Sequence, residues 1–287
     1  MENVFVVSYR KRVESTKSVL CPRIVLSERV PFGYKYPKAG NYLQSVKDYL
    51  CDLINSISEM VPAVEFQKVS YSVLGEKGEA LLRQLIDRAQ RRHLCTILDI
   101  NFLDNTGTRE SVEKVFDTYG VDACTFACVP KFSCGKEWLE RGHIPIFGPK
   151  IEPVGLESCQ DNARMALSWI TELEKEKNCR SAGIGCLVKA KEAARCRQIA
   201  GDDIFFLICG DVLDCGADET VDGLLNSRGE PMGTLTGLDF TLSWWDEEKK
   251  KPREGKTLDL VKAAVQSANV KLNAAIQRKS SKKQRGG

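Results

Sequence analysis

Two carboxylates five residues apart, Asp99 and Asp104, lie at the end of the stretch Thr96-Ile97-Leu98-Asp99-Ile100-Asn101-Phe102-Leu103-Asp104-Asn105-Thr106-Gly107-Thr108. Paired acids can crowd an anionic substrate or move a proton, but both tasks need a matched cation, since two nearby carboxylates raise each other's pKa. The stretch begins apolar and ends polar with a glycine, as a buried strand does when it delivers its last side chains into a pocket. A simpler role is structural: a strand-end acid pairs with a local cation or caps a helix, with Thr108 as N-cap of a helix over 109–118.

The flanking elements fit a repeated strand–helix unit. Apolar runs predict strands at 19–26, 61–71, 96–100, 123–128, 143–148, 183–188, 205–210 and 233–240. Helical spacing predicts helices over 41–60, 75–92, 109–118, 138–142, 157–176, 191–200 and 257–277. Eight alternating units in 287 residues predict an α/β protein: a single-domain (β/α)8 TIM barrel over 19–277. An N-terminal arm or helix (1–18) precedes it, and a disordered basic tail (278–287) follows. Chemistry in such a barrel belongs at the C-terminal ends of the strands.

Several segments together resemble the orotidine 5′-monophosphate decarboxylases. The opening stretch is similar to that family's Asp-x-Lys-x-x-Asp signature, with Asp99 and Asp104 on its aspartates and Thr108 on the threonine after it. Val61 to Tyr71 resembles the Val-Lys-Pro-Gln segment, with Gln67 on the glutamine, and Asp122-Ala123-x-Thr125 matches a further pattern. The resemblance is densest from Ile57 to Thr125 and thin beyond Pro153. It implies the barrel, and a homodimer in which the loop carrying Asp104 and Thr108 reaches the partner's site.

The same comparison implies lost chemistry. Asn101 stands where the family has its proton-donating lysine, and an amide is no general acid near neutral pH. Glu65 replaces the other lysine, and Lys68 falls on the opposite side at a two-residue period. Asp99, Asp104 and Glu65 are thus read as a cluster without a matched cation. The first strand's ribose-binding aspartate falls on Val25, or alternatively Ser27. In the phosphate loop Gly210 and Gly216 remain, but Asp211 and Asp214 enter, and Asp239 stands for the phosphate-gripping arginine. The reading is a catalytically inactive barrel serving as a binding or assembly subunit. The alternatives are altered chemistry or weak nucleotide binding through Asp99 and Asp104, and an RNA-associated scaffold.

That last alternative rests on charge. The net charge is +3, while Arg278, Lys279, Lys282, Lys283 and Arg285 alone supply +5, leaving −2 for the rest. Adjacent Trp244 and Trp245 on a loop are candidate partner contacts, as are Lys279, Lys282, Lys283 and Arg285. Twelve cysteines without a framework read as thiols in a reducing compartment; Cys51, Cys95, Cys124, Cys186 and Cys209 read as buried. Cys124, Cys128 and Cys134 match no zinc spacing, so neither metal nor cofactor is implied. No apolar run is long enough to span a membrane. A cytoplasmic location is expected; a mitochondrial presequence is the alternative, opposed by Glu2 and Glu14.

Overall fold

The computed structural model describes residues 3–26, 42–100, 115–126, 141–147, 183–211, 214–243, 245–246, 248–249 and 251–285, and part of a helix within 160–171. Eight parallel strands pair in chain order: β1 (Arg23–Ile24), β2 (Ala63–Gln67), β3 (Cys95–Asp99), β4 (Ala123–Phe126), β5 (Ile144–Phe147), β6 (Gly185–Lys189), β7 (Phe205–Cys209) and β8 (Gly233–Thr236). A parallel bridge between Leu20 and Leu235, with Cys21 N–H donating to Leu235 O at 2.8 Å, closes β8 onto the first strand. This is the expected TIM barrel.

Helices cover the outside. They are α2 (Tyr42–Ile57), α3 (Lys68–Ser72), α4 (Gly75–Arg91), α5 (Ala193–Ala200), α6 (Asp218–Leu224) and α7 (Thr257–Arg285), and residues 115–119 are also helical. Apolar residues three and four apart make one face of α2 (Val46, Leu50, Leu53, Ile57) and of α4 (Leu82, Leu85, Ile86, Ala89) bury against the sheet. A sheet covered by helices has near-continuous apolar strands, and every residue of β4 and β8 is buried.

The helix α1 (Val4–Thr16) closes the other end of the barrel. Asn3 caps it, its side-chain oxygen accepting from Phe5 N–H at 2.8 Å. Phe5, Val6 and Tyr9 are buried with Cys21, Ala63, Cys95, Ile97 and Phe205, the inner layer at the strand N-termini. Tyr9 meets Phe205 edge to face at 5.1 Å, and its hydroxyl donates to Gly233 O at 2.8 Å. The floor is packed side chain to side chain, which directs any opening to the far end.

Three expectations about element ends change. The second strand stops at Gln67, and Lys68–Ser72 turns into α3, so Tyr71 is helical; its hydroxyl donates to Ile24 O at 3.0 Å and ties α3 to β1. The eighth strand stops at Thr236 because Gly237 adopts φ +88° and lies so close to Gly210 that a Cβ there would come within 2.6 Å of Gly210 O. The closing helix α7 runs through Arg285, so the segment read as a disordered tail from Arg278 continues the helix.

Candidate functional site

The inward rows of the strands meet at their C-terminal ends. Register aligns Arg23 with Glu65 and Gln67 with Asp99, and Asp99 with Thr125. Glu65 is buried and held by a two-pronged ion pair: Arg23 Nε to Oε2 at 3.2 Å and Nη2 to Oε1 at 3.3 Å. The Thr236 hydroxyl also donates to Oε2. Burial raises the carboxyl's pKa, the Arg23 charge opposes this, and Asp99 adds to the rise. On Arg23 burial works against the charge, but the charge and hydrogen bond of Glu65, with Cys209 and Asp99, together raise the pKa. The cluster read as lacking a cation therefore has one, and the correction is local: Arg23 lies two residues before Val25, the position compared with the family's ribose-binding aspartate.

Asp99, also buried, accepts from the Thr125 hydroxyl at 2.6 Å, and Thr125 in turn accepts from Ile100 N–H at 3.1 Å. Asp122, the other acid of the matched pattern, is structural: its Oδ2 accepts from both Thr96 N–H and the Thr96 hydroxyl at 2.7 Å. Lys68, the first residue of α3, lies away from this row. Its ammonium sits 4.0 Å from Glu79 and over the Tyr119 ring at 5.7 Å. Asn101, Asp104, Thr108 and Trp244 lie outside the described residues, as do Cys128 and Cys134. Trp245 contributes backbone to a hairpin of β9 (Trp245–Asp246) and β10 (Lys251–Pro252).

Sequence reading passed over a further cation. Lys189 ends β6 in register with Cys209, on the same alternation as the inward Leu187, and β6 lies across the barrel from β2. The strand was drawn one residue short there, and the apolar run carries no mark of its polar last residue. Cys209 is half-buried beside Arg23. Burial raises its pKa more than the arginine lowers it, so it is poorly suited to act as a thiolate. Cys51 is likewise half-buried, whereas Cys95, Cys124 and Cys186 are buried as expected.

The loop after β7 is closed on itself. Asp214 Oδ2 accepts from Asp211 N–H at 2.8 Å, so a side-chain carboxylate takes a backbone donor that a glycine-rich loop offers to an anion. The fit depends on Gly210, whose added Cβ would lie 2.7 Å from that oxygen and 3.0 Å from Ala190 Cβ. Gly216 faces open space. Beyond β8, Asp239 accepts from Thr241 N–H at 2.8 Å and from the Thr241 hydroxyl, a local turn. Its charge also raises the pKa of the buried Tyr71, though burial contributes more. The two loops approach closely at Gly237, where a Cβ would come within 2.6 Å of Gly210 O. Among the described residues no group of His, Cys, Asp and Glu could hold a metal ion.

With this geometry in view, comparison with solved structures is decisive for the fold. Leishmania donovani orotidine 5′-monophosphate decarboxylase superposes with a TM-score of 0.65 at 14% identity, over 93% of this chain and 98% of that one. The Plasmodium berghei enzyme gives 0.68 at 14% identity, over 94% and 99%. The fold is that of the orotidine 5′-monophosphate decarboxylases. Leishmania donovani UMP synthase aligns over 94% of this chain and 56% of its own length, at 16% identity and a TM-score of 0.63. No protein-family model matches the sequence, and no curated protein matches it. At 14–16% identity these likenesses show the fold; within it Glu65 is paired with Arg23, and Asp214 accepts from Asp211 N–H.

Proposed function

We propose that this decarboxylase-like barrel no longer decarboxylates orotidine monophosphate and acts as a binding or assembly subunit. The observation that carries this reading is the bonding of Asp214 to Asp211 N–H, with Asp239 beyond the adjoining strand. In a decarboxylase the phosphate lies far from the reacting carbon and supplies binding energy that is used at the transition state. A loop that supplies its own carboxylate has no need of that phosphate. Coulomb repulsion from the two acids at short range amounts to several kcal/mol even at an effective dielectric of about 20. The Arg23–Glu65 pair supports the same reading, since it replaces a mobile ammonium with a fixed, neutralised couple.

The subunit is proposed to be a homodimer, by analogy with the family's use of the loop after the third strand, and to work through protein contacts. A cytoplasmic location belongs to the same proposal; among the described residues no helix is long and apolar enough to cross a membrane. The test combines two measurements on the full chain. No orotidine monophosphate is turned over, and uridine monophosphate at millimolar concentration leaves the melting temperature unchanged. A ligand at one hundred times its dissociation constant would stabilise by about 2.7 kcal/mol, so an upward melting shift defeats the proposal.

A further inference from the structure

Away from the strand C-terminal ends, two cations share one neutral partner. Arg88, in the last turn of α4, and Arg92, its C-cap, stand four apart, a spacing at which like charges on a helix repel. Both turn Nε to the same atom, Asn55 Oδ1 in the last turn of α2, donating at 2.8 Å and 2.9 Å. With both nitrogens on one oxygen, the two guanidiniums stand side by side. Among the described residues neither is in an ion pair, whereas Arg91 between them is paired with Asp87 at 2.9 Å. The turn that carries Asn55 is held separately. The Ser58 hydroxyl donates to Asn55 O at 2.9 Å, and Arg12 donates to the carbonyls of Ser58 and Val61. Arg12 thus serves the carbonyls after α2, and Arg88 and Arg92 reach none of them.

With Nε engaged, each arginine keeps the end-on edge formed by its two Nη groups. Arg92 is exposed, and half-buried Arg88 has no nitrogen that is both buried and unbonded, so these edges reach water. A tether between α2 and α4 needs only one arginine. It is also stronger with an aspartate at position 55, because a charge-assisted hydrogen bond is roughly twice as strong as a neutral one. The amide instead aligns two positive charges and neutralises neither. A guanidinium edge matches the planar carboxylate with two parallel bonds, and the Arg91–Asp87 pair shows that chemistry one residue away. Acids flank the arginines: Asp48 and Asp52 lie with Arg88 around Cys51, and Glu59 is exposed in the turn after α2. A long polyanion laid across this face meets like charge on α2, while a short segment with two carboxylates engages the arginines alone.

We propose that Arg88 and Arg92, aligned by Asn55, form a docking site for an acidic peptide segment of a partner protein, one carboxylate on each guanidinium. Asn55 is a positioning residue: it sets the spacing of the two edges and leaves their charge free. The site gives a chemical address to the protein contacts proposed above and rests on that part of the reading. Loss of decarboxylation is tested by turnover, so either idea can fail without the other.

The test uses the full chain and a fluorescein-labelled hexaglutamate peptide, read by fluorescence anisotropy at low ionic strength. Arg88→Gln/Arg92→Gln is expected to weaken binding about tenfold, the scale of a charge-assisted hydrogen bond. Asn55→Asp is expected to weaken it as much while holding or raising the melting temperature, because the new carboxylate pairs with both arginines in place of the peptide. A tether with no docking role moves the melting temperature and leaves affinity unchanged, which overturns the proposal. Gln198→Glu adds the same charge on exposed α5, beyond the far side of the barrel, and is expected to leave affinity within about twofold of wild type. A loss there as large as in Asn55→Asp reduces the effect to net charge and overturns the site. So does the absence of saturable binding to the wild type, or tighter binding of a labelled oligouridylate than of hexaglutamate, which marks a nucleic-acid surface instead.

Discussion

At the residue scale the molecule turns on Arg23 and Glu65. Removing one member of a buried ion pair leaves an uncompensated charge and typically costs about 3–5 kcal/mol, whereas replacing both with apolar groups is often near neutral. Arg23→Met is therefore expected to destabilise strongly, and Arg23→Met/Glu65→Leu to recover most of the loss, in urea denaturation. The pair also sets a pH dependence. Glu65 has a folded pKa above the ordinary glutamate value of about 4.3. The folded state then holds its proton to higher pH than the unfolded state, so stability falls as pH rises from the ordinary value through the raised one. Melting curves of the wild type against the non-titrating Glu65→Gln are expected to show the wild type losing ground over that window; a gain there contradicts the assignment. The pair also changes the outlook for restoring a decarboxylase. Glu65→Lys places an ammonium against Arg23, and Asp239→Arg leaves Asp214 on the loop. The triple variant Glu65→Lys/Asn101→Lys/Asp239→Arg is thus expected to bind no uridine monophosphate by calorimetry without a change at Asp214.

At the element scale the loop after β7 and its glycine form one device. Gly210→Ala puts a methyl group 2.7 Å from Asp214 Oδ2, closer than real Cβ contacts, and 3.0 Å from Ala190 Cβ, a tight one. It is expected to cost about 1–3 kcal/mol, the range for overpacking, and Asp214→Ala in the same chain is expected to relieve part of it; thermal denaturation of both variants reads the difference. These elements also show what was legible in the sequence. The order of strands and helices followed from apolar spacing because each buried face repeats every two or 3.6 residues. The ends were less legible: α3 begins where β2 was read as continuing, and β8 stops where Gly237 meets the neighbouring loop. Such stops are imposed by contacts from elsewhere in the fold. Arg23 was missed for a related reason. Its partner is 42 residues away, and only strand register brings the two together. The self-capped loop was half legible: its two aspartates were read as repelling phosphate, while the bond from one to the other's backbone needed coordinates.

At the scale of the whole molecule, the barrel is closed at the N-terminal ends of its strands by helix α1. Tyr9 fills the floor, and Tyr9→Ala is expected to cost about 3–5 kcal/mol, the range for deleting a large buried ring, in equilibrium unfolding. Tyr9→Phe, which keeps the ring and loses the bond to Gly233, is expected to cost nearer 1 kcal/mol. A monomer in sedimentation at micromolar concentration would remove the proposed dimer and leave the barrel mouth for a different protein. The floor has a further consequence, in time rather than in space. Tyr9 bonds to a residue 224 positions later. During synthesis at about 5–20 residues per second, helix α1 waits roughly 10–45 s for the strand it must meet. Through that interval Phe5, Val6 and Tyr9 have no floor to fill, and the nascent chain carries their apolar face uncovered. That helix is a natural place for a chaperone to hold, and a bulky fusion at the N-terminus is expected to slow the last step of barrel closure.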